Sequence, residues 1–236
     1  KVVSSREVEF TSETPYNVAS ILANLVDNNP NCFIFGYEKD RRTFVGASPE
    51  ILVRHRGSEI LSYALAGTAP KDGPNAWTKE QLLIDKKNLF EHNIVRDRIV
   101  NTMKQITPDV TVEETGIMEL AHLYHLRTII TAKDSTKSLV EWAKLLHPTP
   151  ALGGEPRDKA MALLETYEAH ERGMYAAPFG FMKDMGDGIV VVAIRSALIM
   201  DNILYAYAGC GVVADSDADE EYIETNNKMR TILDAL

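Results

Sequence analysis

Glu221 and Glu224 stand three residues apart near the end of the chain, with Lys228 one helical turn beyond Glu224. On a helix that spacing places the three on one face. They follow the strand-like run ILYAYA, the bare turn Gly209-Cys210-Gly211 and an acidic loop. Paired carboxylates, a lysine and glycine backbone in one strand–turn–helix form a candidate site for a metal ion and an anionic ligand. Two plainer readings compete. A helix face of this composition is commonly solvated charge. Gly209, Gly211 and Ala214 also fit G-x-G-x-x-A, but a dinucleotide fingerprint needs a following helix and then a second strand carrying an acid. The loop is too acidic to hold a pyrophosphate and no second strand follows, so that reading is rejected.

Elsewhere the candidates are single residues. Lys1 heads a strand, Glu50 follows Ser48-Pro49 and fits a turn, and Glu91 lies mid-helix beside His92. His122 and His125 differ by three, which does not place them side by side on a strand, so they make a poor metal pair. Arg195 interrupts the apolar run VVVAIRSALI. A guanidinium there needs an anionic partner, either a structural carboxylate or a ligand. Gly67-Thr68, at the end of another strand, offers backbone N–H groups and a hydroxyl.

The elements that must position these residues follow from periodicity. Residues 2–10 alternate as a strand. Thr14-Pro15 reads as the N-cap and first residue of a helix running to about Val26. CFIFGY, RTFVGA, EILVRHR and GSEILSYALAG form an antiparallel meander. From Thr78 to about Lys104 one broad apolar stripe predicts a single helix. DVTVEETGIMEL and AHLYHLRTIITAK predict two strands, and a short helix spans Leu139–Leu145. The loop HPTPALGGEPR excludes regular structure, and a helix runs from Arg157 to about His170. FGFMKD, GIVVVAIRSALIM and NILYAYAG form hairpins through the GDG and DN turns. The fold class is α+β, with largely antiparallel sheets flanked by helices, and residues 1–236 read as one domain.

At 236 residues the chain has ample apolar content for a core. Its net charge of −9, with no block of Lys or Arg, argues against nucleic acid or anionic membrane as partner. No apolar run matches a bilayer span and no signal peptide is visible. Cys32 and Cys210 make neither a metal motif nor a disulfide framework. The expectation is a cytosolic protein without an obligatory protein partner. The sequence opens on Lys1, inside a strand pattern, as expected of a piece of a longer protein.

Taken together, KVVSSR, GASPEIL, LAGT, the FEH helix, HPTPALGG, RGMY, IRSAL and AGCGVVADSDADEEYIETNNK resemble the chorismate-utilising enzymes, and the match runs the length of the chain. That family includes isochorismate, salicylate, anthranilate and aminodeoxychorismate synthases. Its members usually carry a further β-rich segment before this block, so the N-terminal part of the full fold is expected to be missing here. The resemblance implies chorismate as the small-molecule substrate and Mg²⁺ as cofactor. Glu91 and Glu224 would hold the metal, supported by Glu221. Tyr175, Arg195 and the backbone of Gly209 and Gly211 would hold the enolpyruvyl carboxylate, and Lys228 would face the ring carboxylate. Ala66, Gly67, Thr68 and His125 would line the ring.

Two positions separate the branches of the family. Anthranilate synthases typically carry glutamine where this chain has Lys1, and aminodeoxychorismate synthases carry an attacking lysine where it has Ala66. Lys1 with Ala66 resembles the enzymes that use water, the isochorismate synthases of the menaquinone and siderophore type. Salicylate synthase is the nearest alternative, then anthranilate synthase component I, or a non-catalytic binding protein on the same fold. In the first reading Lys1 is general base for water attacking C2, and Glu50 is general acid for the departing C4 hydroxyl. A free lysine has a pKa of about 10.4 and is a poor base at neutrality, whereas Glu50 must keep its proton. A Lys1–Glu50 salt bridge would work against both roles. The two are therefore expected on opposite sides of the ring, without direct contact.

Overall fold

The computed structural model describes residues 1–236. The chain begins with β1 (Val2–Thr11), α1 (Val18–Asn28), β2 (Phe33–Lys39), β3 (Arg42–Ser48), β4 (Ile51–Arg56) and β5 (Glu59–Pro70). Helices α2 (Lys79–Ile84) and α3 (Lys86–Lys104) precede β6 (Val110–Val112), β7 (Gly116–Glu119) and β8 (Leu123–Lys133). After α4 (Leu139–Leu146) and α5 (Arg157–Tyr167) come β9 (Pro178–Met182), β10 (Gly188–Val192), β11 (Ser196–Met200), β12 (Ile203–Val212) and α6 (Ala218–Leu233). This is the α+β class with antiparallel sheets that the strand pattern predicts.

The strands form two sheets, one in the order β1-β12-β11-β3-β2 and one in the order β6-β8-β5-β4-β10-β9, with β7 also on β8. The main core joins inward residues of both sheets, such as Phe44, Tyr207, Leu52 and Ile60, to Val95, Ile99 and Met103 of α3 and Trp142 of α4. A second core packs the other face of the first sheet under α1 and α6. Full burial of each large apolar side chain contributes roughly 1.5–3 kcal/mol. Strand β12 shows how this division works. Leu204, Ala206 and Ala208 point into the second core. The alternate positions Tyr207, Gly209 and Gly211 face the interior between the sheets.

Several boundaries differ from the periodicity. The first helix starts at Val18 under an Asn17 cap that accepts from Ser20 N, not at Thr14-Pro15. The preceding chain is held instead by backbone bonds from Ser12 and Tyr16 to Asn202 and Asp201. The long helical stripe breaks at Asp85, which is extended (φ −71°, ψ 122°), closes α2 and caps α3 through Asn88 N. DVTVEETGIMEL divides into β6 and β7, both paired to β8. Helix α5 stops at Tyr167, because Glu168 turns away to bond Ser5 N on β1.

Two further corrections bear on function. The meander of four strands is not one sheet: β3 and β4 lie in different sheets, and Pro49-Glu50 is the crossover. Likewise GIVVVAIRSALIM is not one strand. It divides into β10 and β11, in different sheets, with Arg195 in the gap at φ +53°. A left-handed backbone is uncommon for a residue other than glycine and ends regular pairing there.

Candidate active site

Both crossovers arrive at one cleft. Val192 N donates to Glu50 O at 3.1 Å and Ala47 N to Arg195 O at 3.1 Å, so the two passages brace each other. Glu50 and Arg195 line the cleft with Ala66, Gly67, Thr68, Glu91, His125, Tyr175, Gly209, Gly211 and Lys228. Every one of these is a residue singled out in the sequence. The cleft offers about 550 Å³ of space, part of it continuous with solvent. Three sequence candidates do not line it directly. Lys1 lies fully buried behind Gly211, and Glu221 and Glu224 sit on α6.

The helix faces decide between solvated charge and a site. On α6 the buried positions are Glu221, Thr225, Lys228, Met229 and Ile232, and on α3 they are Asn88, Glu91, His92, Val95, Ile99 and Met103. The spacing is that of an inward stripe, and Glu221 is only 5 % exposed. Glu91, Glu221 and Lys228 thus lie on the faces that pack, not on those that meet water.

Each of the three acids Glu91, Glu221 and Glu224 has a lysine beside it. Lys1 Nζ lies 2.9 Å from Glu91 Oε1, Lys87 Nζ 2.6 Å from Glu221 Oε1, and Lys228 Nζ 2.6 Å from Glu224 Oε1. The Lys1 contact is an ion pair at an angle that does not make a hydrogen bond. Lys228 also donates to Gly209 O at 2.8 Å. Burial pushes the Glu91 carboxyl up, but Lys1, and more weakly Lys228 and Lys87, hold it below the ordinary value. Burial raises Glu224, and Glu91 and Glu221 nearby add to the rise against the pull of Lys228. The three carboxylates thus sense one another across the α3–α6 contact.

That donor set suits Mg²⁺. All the groups are oxygen donors, and Glu221 Oε2 is buried without a hydrogen-bond partner. The side chains do not close into a cage of three or more protein ligands. Mg²⁺ takes one or two carboxylates and keeps several waters, so a cage is not required.

On the opposite wall the groups are arranged for an anion. Arg195 is 7 % exposed and has no carboxylate partner; its Nη2 bonds His125 Nε2 at 2.7 Å. His125 Nδ1 lies 3.0 Å from Thr68 Oγ1. A guanidinium only donates, so Nε2 accepts and the Nδ1 proton goes to Thr68. Burial, then Arg195 and Lys228, hold His125 well below the usual histidine range and keep it neutral. Tyr175 stacks on Tyr207 with ring centroids 5.4 Å apart. A side chain at Gly209 would meet the Tyr175 hydroxyl at 2.9 Å. Glycine there leaves room for the Tyr175 hydroxyl against the strand.

Glu50 is 2 % exposed, and burial pushes its carboxyl up to about 7 against the pull of Lys1, Arg195 and Lys228. Its Oε1 has no partner. The carboxylate in contact with Lys1 is Glu91, not Glu50.

Arg172 also lines the cleft and was not singled out in the sequence, although it opens RGMY. It bonds Leu152 O and Val3 O, each at 2.7 Å, and pairs with both oxygens of Glu168. One guanidinium therefore ties β1 to the loop after α4. Lys87 had a readable signal, one turn before Glu91 on α3. The reach of its side chain to α6 had none.

Arg195, His125 and Lys228 lie in one cleft with the acids of α3 and α6 beside it, between two antiparallel sheets, an arrangement suited to a small anionic ligand. The chain belongs to the chorismate-binding enzyme family, whose model matches residues 1–236. It is 37 % identical to isochorismate synthase MenF of Bacillus subtilis, covering 100 % of this chain and 51 % of the relative. Isochorismate synthase DhbC of the same organism is 33 % identical over 100 % of this chain and 63 % of the relative. The solved structure of the menaquinone-specific isochorismate synthase MenF from Escherichia coli superposes with a TM-score of 0.88 at 31 % identity. That match covers 98 % of this chain and 56 % of the other. The chain therefore spans between about half and two thirds of the length of these relatives.

Proposed function

We propose that this chain carries the catalytic site of an isochorismate synthase, which converts chorismate to isochorismate with Mg²⁺. The observation that carries the reading is Glu50: a fully buried carboxyl on the cleft wall, raised to about 7, with one oxygen lacking any protein partner. A group in that state is a proton donor waiting for an acceptor. In the proposed reaction a water bonds to C2 as both ring double bonds shift, C1=C2 to C1=C6 and C5=C6 to C4=C5, and the C4–O bond breaks. Lys1 takes a proton from the attacking water, and Glu50 gives one to the departing hydroxyl, which leaves as water. One water enters and one departs, so the net change is isomerisation.

The other wall binds and orients. Arg195 and Tyr175, with the backbone at Gly209 and Gly211, face the enolpyruvyl carboxylate, while Lys228 faces the ring carboxylate. Glu91 and Glu224, with Glu221 behind them, would hold Mg²⁺, whose charge neutralises the ring carboxylate when bound. Ala66 supports water as nucleophile, because that position supplies no amine. The relatives named isochorismate synthases support the same reading.

The test is incubation with chorismate and Mg²⁺ in ¹⁸O-water, with products resolved by NMR and mass spectrometry. Isochorismate labelled at the C2 hydroxyl is the expected product. Salicylate with pyruvate would assign the chain to salicylate synthases, and no turnover would leave a binding protein on the same fold.

A further inference from the structure

Between Leu65 and Thr68 the pairing of β5 with β8 shifts register, and the bulge so formed presents Ala66, Gly67 and Thr68 to the cleft. Helix α3 grips this bulge at successive points. His92 Nδ1 lies 3.0 Å from the Ala66 carbonyl. Thr68 N donates to Asn88 Oδ1 at 2.9 Å, and Asn88 is itself oriented by Asp85 Oδ1 at 2.8 Å. Gly67, at φ +79°, fits so closely that a side chain would meet Asn88 O at 2.9 Å.

The His92 contact has a fixed polarity. A carbonyl only accepts, so Nδ1 carries the proton that bonds Ala66. The ring is 0 % exposed, and in the neutral ring Nε2 is then the acceptor. The Thr128 hydroxyl, 2.7 Å away, donates to it, which leaves Thr115 Oγ1, 2.8 Å from Thr128, to donate in turn. The hydrogen bonds run in one direction, Thr115 to Thr128 to His92 to Ala66. Their end is the backbone at the position where the nucleophile is chosen. Glu91 leaves α3 one residue before His92 and faces the same cleft. One rigid helix thus registers the acidic wall against the ring-lining bulge.

We propose that His92 is a positioning residue: its Nδ1–H holds the Ala66 carbonyl and sets the Ala66–Thr68 bulge against the reacting ring. The proposal rests on the isochorismate synthase reading for its catalytic consequence, but the tether itself is testable apart from it.

The imidazole has two isosteric substitutes that divide its contacts. Asparagine places an amide N–H near Nδ1 and retains the bond to Ala66. Glutamine reaches towards Nε2 and retains only Thr128. His92→Asn is expected to keep kcat within about 3-fold. His92→Gln is expected to lose about 100-fold in kcat, the cost of a misplacement of order 1 Å, with KM for chorismate changed less than about 3-fold. Amide hydrogen exchange at Thr68 should accelerate about 10-fold or more in the glutamine variant and stay near wild type in the asparagine variant. Equal kcat in the two variants, or unchanged Thr68 exchange in His92→Gln, would overturn the proposal. Should the glutamine variant not fold, Thr128→Val removes the hydroxyl that orients the ring. It is expected to lower kcat about 10-fold at constant KM, and an unchanged kcat would likewise overturn the proposal. A wild-type protein that makes no isochorismate would refute the proposed activity, while the exchange measurement would still decide the tether.

Discussion

Lys1 Nζ and Glu91 Oε1 stand 2.9 Å apart, and a side chain at Gly211 would overlap both partners. The lysine assigned as base and a carboxylate assigned to the metal are therefore one buried ion pair, packed against a glycine. A lysine that accepts a proton from water has to leave that carboxylate first, and a cation bound at Glu91 competes with Lys1 for the same oxygen.

Competition of that kind is measurable without turnover. Lys1→Met removes the cation beside Glu91, so Mg²⁺ affinity is expected to rise about 10-fold, about 1.4 kcal/mol. Isothermal titration of wild type and variant with MgCl₂ reads it directly. Weaker Mg²⁺ binding by the variant would mean that Lys1 supports the metal site. In the assay, Lys1→Gln should abolish isochorismate formation and leave chorismate binding within a few-fold.

Arg195 is a buried guanidinium whose side-chain partner is a neutral imidazole, and its Nε has no partner at all. A buried charge without a counter-ion costs stability, and burial holds this guanidinium below its ordinary pKa. Arg195→Met is expected to stabilise the fold by about 1–3 kcal/mol in urea unfolding. The same substitution should weaken chorismate binding about 100-fold or more. Destabilisation with unaltered binding would make Arg195 a structural residue.

Glu50 ionises at about 7 in the fold and near 4.5 when unfolded. A raised folded-state pKa means that its contribution to stability is fully present below the unfolded pKa. That contribution is lost as pH rises from about 4.5 through about 7. The total is about 3 kcal/mol for this fully buried group. Glu50→Gln should remove this part of the pH dependence, so the gain over wild type is larger at pH 8 than at pH 4. Isochorismate formation in the wild type should also decline above pH 7 as the carboxyl loses its proton. Parallel stability–pH curves for the two proteins would contradict the assignment.

Gly211 carries the ion pair of Lys1 and Glu91 on its open face. In Gly211→Ala the new methyl would displace the Glu91 carboxylate and, at 2.8 Å, the end of the Lys1 side chain, so the buried ion pair itself has to move. The expected loss is about 1–3 kcal/mol in stability, with activity abolished. Gly57→Ala is the control for a glycine with open space around it. At φ +59° it should cost about 1 kcal/mol with kcat unchanged.

Much of this molecule is determined by local chemistry along the chain. Alternation and apolar stripes mark the strands and helices because side-chain period is a property of the backbone alone. GASPE, the FEH helix, RGMY and the GCG turn with its acidic helix can be read without coordinates, and with them Glu50, Glu91, Tyr175, Gly209, Gly211 and Lys228 of the cleft. Tertiary structure alone decided three things. Glu50 and Arg195 are delivered where the chain passes between sheets; the Glu50 passage reads as an ordinary turn and the Arg195 passage lies inside an apolar run, and periodicity cannot show a change of sheet. The long stripe of residues 78–104 breaks at Asp85, because a side-chain cap at Asn88 outweighs a continuous pattern. Lys1 pairs with Glu91 and Lys87 with Glu221 across long separations in sequence, and such pairing depends on how the start of the chain, α3 and α6 come together. Those contacts determine the electrostatics of the cleft, and spacing within one element carries no record of them.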